Sequence, residues 1–233
     1  MTTPAPAPPP ATLRHITRTS FLLGAILILV GTLALPTLNL ADVAAAQRAF
    51  GAQAVRLQLC ALLITVGVWS IMAGTAGVPA VLPAHGAVWA RLGAQFHGVG
   101  VVVWTIGMSL DISYPAAIRS WLIAPPDEQV VAASVVAVLS PVGFGRGLFP
   151  LNVMINWLAF GFLGVGMVRS GAGARRLGWV GLILGSAGFV LGILMTFLGR
   201  ERLFGLFAVL WGLTILWWAA LGVQKRWMQG DDP

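Results

Sequence analysis

Residues 130–142 read VVAASVVAVLSPV, and whether this run crosses a membrane decides the architecture of the chain. Pro126, Asp127 and Glu128 ahead of it suit a first helical turn, where a missing N–H and negative charge are favoured. Pro141 and Gly143 then end the helix after about 13 residues, roughly 20 Å at 1.5 Å per residue. A bilayer's hydrocarbon core is about 30 Å thick. A full crossing would have to include Arg146. The expectation is therefore a short helix and Gly-rich return over 130–149, resting on or dipping into the outer face. Backbone groups exposed in such a return must pack on protein or line a wet cavity.

Six other runs are long enough to cross. They lie at 21–35, 57–78, 92–112, 149–168, 177–198 and 203–223. The expected fold is all-α, a polytopic transmembrane helical bundle of six spans, with seven possible if 130–149 crosses. Residues 39–56 place Leu40, Val43, Phe50 and Ala54 opposite Asp42, Gln53 and Arg56, which predicts an amphipathic helix on the membrane surface. Residues 1–18 begin with the Pro/Ala-rich MTTPAPAPPPAT and are expected to form a disordered arm. One membrane domain at 19–226 follows, and then a short tail at 227–233. The first span could also be read as a signal peptide with Ala44–Ala46 as cleavage site, but that site lies far from the apolar run, and a retained span fits better.

Basic residues favour six spans over seven, because cytoplasmic segments retain Lys and Arg. With six spans and the N-terminus inside, the cytoplasmic set is Arg14, Arg18, Arg91, Arg169, Arg175, Arg176, Lys225 and Arg226, eight of the 14. The other six are Arg48, Arg56, Arg119, Arg146, Arg200 and Arg202. Seven spans reverse the balance. The chain is thus expected in the cytoplasmic membrane with both termini on its inner side.

Composition agrees with this class. The 233 residues are 58% hydrophobic and 9% charged, with a mean hydropathy of +0.89, where soluble domains carry about 25% charged residues. The net charge of +7 is scattered between apolar runs and forms no basic cluster with interleaved aromatics, so nucleic acid is not an expected partner. Cys60 is the only cysteine, which excludes an internal disulfide or a CxxC pair.

Within the spans, Gly178, Gly181, Gly185, Gly188 and Gly192 recur every three or four residues and form one face without side chains. Such faces let helices approach closely. A neighbouring helix of the same chain or a second subunit could occupy it. Of the tryptophans, Trp89, Trp121, Trp179, Trp217, Trp218 and Trp227 are expected in an interfacial belt. Trp69, Trp104 and Trp211 fall mid-span, where they pack or line the pocket of a flat apolar ligand.

Ionisable side chains inside spans are functional candidates because burying them is costly. His97 is one, as a proton relay or metal ligand, or as a hydrogen-bonded structural residue; His15 and His85 are not at its depth, so no metal or other cofactor is expected. Asp111 is the other. Asn152 and Asn156, one turn apart, enter from the same side, and Tyr114, Arg119 and Arg146 belong to the connecting segment. Together these six predict an outer ligand pocket. The competing reading is an Asp111–Arg119 surface pair with two asparagines that join helices.

HExxH, GxSxG, aspartate-rich diphosphate motifs and paired carboxylates within one span are missing from the sequence, which leaves an enzyme without a nucleophile to name. At 168–185, VRSGAGARRLGWVGLILG leads a short basic loop through Leu-Gly-Trp into a glycine-rich span, after the LNVMINW span. Over about residues 92–224 this resembles a widespread group of bacterial multi-pass membrane proteins described as domains of unknown function. The resemblance implies a bacterial inner membrane and carries over no catalytic residue. The expected function is binding of a lipid, small apolar ligand or membrane partner, with a small-solute transporter or channel as the alternative and a membrane enzyme third.

Overall fold

A computed structural model describes residues 10–36, 43–140 and 145–228. Among them are eight α-helices and no strand: α1 (Ala11–Leu33), α2 (Val43–Ala52), α3 (Ala54–Val81), α4 (Ala84–Ile123), α5 (Gln129–Leu139), α6 (Gly145–Val168), α7 (Ala172–Leu198) and α8 (Arg200–Val223), with a 3-10 turn at Arg226–Met228. The six apart from α2 and α5 are long and apolar enough to cross a bilayer. The protein is an integral membrane protein with six apolar spans.

The spans form a ring in chain order. α1 packs on α3, α3 on α4, α4 on α6, α6 on α7, α7 on α8, and α8 returns to α1. Arg18 closes the ring by donating from Nε to Gly222 O and from Nη2 to Val223 O, both at 3.2 Å. A cation thereby meets the last carbonyls of α8, which have no partner within their own helix. At the same end Trp227 packs edge-on against Phe21 and donates from Nε1 to Leu221 O at 2.9 Å.

Close backbone approach sets the α6–α7 seam. A Cβ added at Gly178 would lie 2.6 Å from Val168 N, at Gly185 2.7 Å from Trp157 O, and at Gly192 2.9 Å from Met154 N. Gly188 fits against the Trp157 ring, and Gly181 against Trp217 of α8. The five-glycine face is thus covered within the chain by α6 and α8, and dispersion contacts supply the attraction.

Several boundaries differ from expectation. α1 starts at Ala11, so residues 11–18 of the supposed arm are helical; Thr17 fits against Gly77 and Arg18 caps α8. The surface helix ends at Ala52, and 54–56 belong to α3; residues 37–42 lie outside the described set. The third span is 40 residues, not 21, because helix continues through Pro115, which is buried with Ile118. Tyr114 and Arg119 are therefore helical rather than part of a connecting loop. α5 begins at Gln129 with Glu128 as its cap, so Pro126 and Asp127 precede it. Residues 145–149 open α6 and are not a return; 141–144 are outside the described residues. Trp217, Trp218 and Trp227 are only 2%, 1% and 3% exposed, since α8 turns its aromatic face into the ring, and Trp227 folds back as part of the core rather than beginning a free tail.

At about 60 Å, α4 overruns its neighbours. Gly51 of α2 lies against Leu122 and Ile118 on this overrun, and α5 packs there as well. Its 11 residues, about 16 Å, are too few to cross. The three segments cap one end of the ring.

Candidate functional site: a cavity with a charged end

A cavity of about 500 Å3 lies inside the ring beneath this cap, walled by residues of α1, α3, α4, α6 and α8 with Phe50 of α2. The walls follow helical spacing. On α4 they are Trp104, Met108, Asp111 and Pro115; on α8, Phe204, Phe207, Ala208, Trp211 and Ile215. Trp104 and Trp211 stack with ring centres 5.5 Å apart, and Phe207 stacks on Trp211 at 6.1 Å. Phe50 meets Tyr114 edge-on at 5.8 Å where the cap covers the cavity.

One end is charged. Asp111 of α4 and Arg200 of α8 both border the cavity, and each acts on the other electrostatically. The Arg200 guanidinium lies 4.1 Å over the Phe149 ring and 5.4 Å from the centre of Phe204, an arrangement favoured by the ring quadrupoles. A tight turn places it there. Gly199 is the single residue between α7 and α8, and its φ of +89° is a conformation that L side chains rarely adopt.

A smaller space of about 50 Å3 adjoins this end, bordered by Asp111, Arg200, Trp104, Phe149 and Asn152. Two polar atoms beside it are buried without a hydrogen-bond partner: Trp104 Nε1, a donor, and Asn152 Oδ1, an acceptor. Leaving such groups unpaired costs about 1–3 kcal/mol each. Asn152 itself is only 4% exposed. Two grooves of about 490 and 560 Å3 lie elsewhere, beside Trp69 and Thr105 and beside Gln53 and Arg56, and neither joins an acidic to a basic group.

The structure brings together three of the six residues expected in the pocket: Asp111 and Tyr114 on the cavity, and Asn152 on its annex. Asn156 faces away into the α4–α6 seam, where it donates from Nδ2 to Asn152 O at 3.1 Å and packs against Gly100. Asn152 donates from Nδ2 to Gly100 O at 3.0 Å and so ties α6 to α4, whereas the hydrogen bond of Asn156 stays within α6. Arg119 is exposed on the overrun of α4 and borders neither space. Arg146 occupies the first turn of α6, and its side chain is outside the description. His97 lies deeper, 1% exposed; its Nδ1 shares a 2.8 Å hydrogen bond with Thr75 Oγ1, and its ring meets Phe160 edge-on at 5.2 Å. Among the described residues no three His, Cys, Asp or Glu side chains are placed to hold a metal ion.

Searches against family models, curated proteins and solved structures found no match. The site is therefore read from its own chemistry. Sequence reasoning missed Arg200, which served only as a topological charge. The signal that could have found it is the Arg200, Phe204, Phe207, Trp211 face, read together with Gly199 just before it.

Proposed function

We propose that this protein binds a lipid or another small apolar molecule in the cavity between α1, α4 and α8, holding its polar part against Asp111 and Arg200. The observation that carries this reading is the cavity itself. Its volume of about 500 Å3 falls within the roughly 300–1,000 Å3 of ligand sites, which are mostly apolar with a few convergent polar groups.

The route in is lateral. α1 and α8 are joined at the Arg18 end, with Leu22 against Gly222. Towards the other end, Leu29 and Leu33 of α1 and Ala208 and Gly212 of α8 stand on opposite sides of the cavity. An acyl chain can pass between such helices without leaving hydrocarbon. With both termini cytoplasmic in a bacterial inner membrane, as the eight-to-six distribution of basic residues favours, this opening serves the outer leaflet. Binding, rather than turnover, is the proposed activity.

Native mass spectrometry of protein released in mild detergent tests this. One retained amphiphile per chain is expected, and Ala208→Trp, which fills the cavity from its wall, should remove it. Retention of the same molecule by a folded Ala208→Trp variant would place the ligand elsewhere.

A further inference from the structure

We infer that the charged end of the cavity is a subsite for a zwitterionic head group, one bearing an ammonium and a phosphate or carboxylate, on a single-chain amphiphile. This rests on the cavity being a ligand site and adds which head it takes.

The inference comes from the polarity of the groups at this end. Two are acceptors: the Asp111 carboxylate, and Asn152 Oδ1, which has no hydrogen-bond partner. Two are donors: the Arg200 guanidinium, and Trp104 Nε1, which has none either. All four border the same space. An ammonium on the Asp111 and Asn152 side, with its attached anion on the Arg200 and Trp104 side, sets a group of opposite character beside each of these residues. A purely anionic head would satisfy Arg200 and Trp104 and face the Asp111 charge. A purely cationic head would satisfy Asp111 and Asn152 and face Arg200. Like-charge juxtaposition is one way sites exclude wrong ligands.

The cation of Arg200 is also held in place before a ligand arrives, by Phe149 and Phe204. Such preorganisation reduces the ordering cost of binding. Asn152 is fixed in the same way, because its Nδ2 is committed to Gly100 O, which leaves its Oδ1 without a partner beside this space.

The test is a binding series with purified full-length protein and four amphiphiles of one chain length: lysophosphatidylethanolamine, lysophosphatidylglycerol, an alkyltrimethylammonium and a monoacylglycerol. The zwitterion is expected to bind at least tenfold more tightly than either singly charged probe. Asp111→Asn should shift the preference towards the phosphatidylglycerol analogue, and Arg200→Gln towards the trimethylammonium. Trp104→Phe keeps a ring to stack on Trp211 and removes only the donor; it should weaken the two phosphate-bearing probes and leave the other two unchanged. Thermal unfolding of each variant identifies any that does not fold, and the wild-type series alone still decides. Equal affinity for all four probes would overturn the head-group assignment while leaving the cavity as a chain-binding site. No binding of any probe would sink the cavity reading and the assignment with it.

Discussion

Two glycines show how much a single position can reveal. Gly185 of α7 sits against the α6 backbone, and a Cβ there would come within 2.7 Å of Trp157 O. Gly212 of α8 borders the cavity and has nothing within 4 Å of an added Cβ. The same substitution should therefore act in opposite ways. Gly185→Leu must separate two backbones, and overpacking of this kind costs about 1–3 kcal/mol or more; the expected result is a clear loss of thermal stability or of monodisperse protein. Gly212→Leu should leave the melting temperature nearly unchanged and weaken ligand binding roughly tenfold, about 1.4 kcal/mol. A Gly212→Leu protein that binds normally would argue against occupancy of that wall. The glycine period in α7 was legible in the sequence. Which glycines face backbone and which face space was not, because that depends on neighbours whose placement is not encoded locally.

Among the elements, α5 was the most legible and α4 the least. α5 was anticipated as short because helix rise against bilayer thickness is simple arithmetic, and its 11 residues agree. α4 was expected to end at 112, three residues short of Pro115. A proline removes one backbone N–H and strains the carbonyl four residues earlier, which reads as a boundary. Here the helix continues, Pro115 and Ile118 are buried, and Gln58 donates to the Ile112 carbonyl at 3.1 Å beside the disturbed turn. The overrun carries α5, whose Val130, Val131, Val135 and Val138 remain exposed at 77%, 68%, 46% and 73%. Fully burying a valine is worth about 1.5–3 kcal/mol, so four such side chains favour contact with acyl chains over water. Val138→Cys in a Cys60→Ala background, labelled with an environment-sensitive fluorophore in vesicles, should emit to the blue and be quenched by lipid-borne quenchers. Water-like emission would place α5 clear of the bilayer.

For the whole molecule, the number of spans was accessible from hydropathy and the ring was not. Chain order predicts that neighbouring spans pack, but the closing contact joins residues 204 apart, Arg18 and Gly222, and only their meeting creates an interior. The closure also fixes both ends of the crossing chain on one side, as six spans require. At that end gather Arg14, Arg18, Arg91, Arg169, Arg175, Arg176, Lys225 and Arg226, eight of the 14 basic residues, against six at the capped end. The difference of two sets the proposed orientation and, with it, the leaflet that reaches the cavity. His85 lies beyond the α3–α4 turn at the basic end, Asp127 lies between α4 and α5 at the capped end, and both are exposed. In a Cys60→Ala background, His85→Cys should resist a membrane-impermeant maleimide in intact cells and react after permeabilisation, whereas Asp127→Cys should react at once. The reverse pattern would turn the ring over, give the cavity to the cytoplasmic leaflet, and require the charge distribution to be overruled by some other insertion signal. Labelling of both sites in intact cells would mean that α4 does not separate them or that both orientations are present, and either result would overturn the assigned orientation.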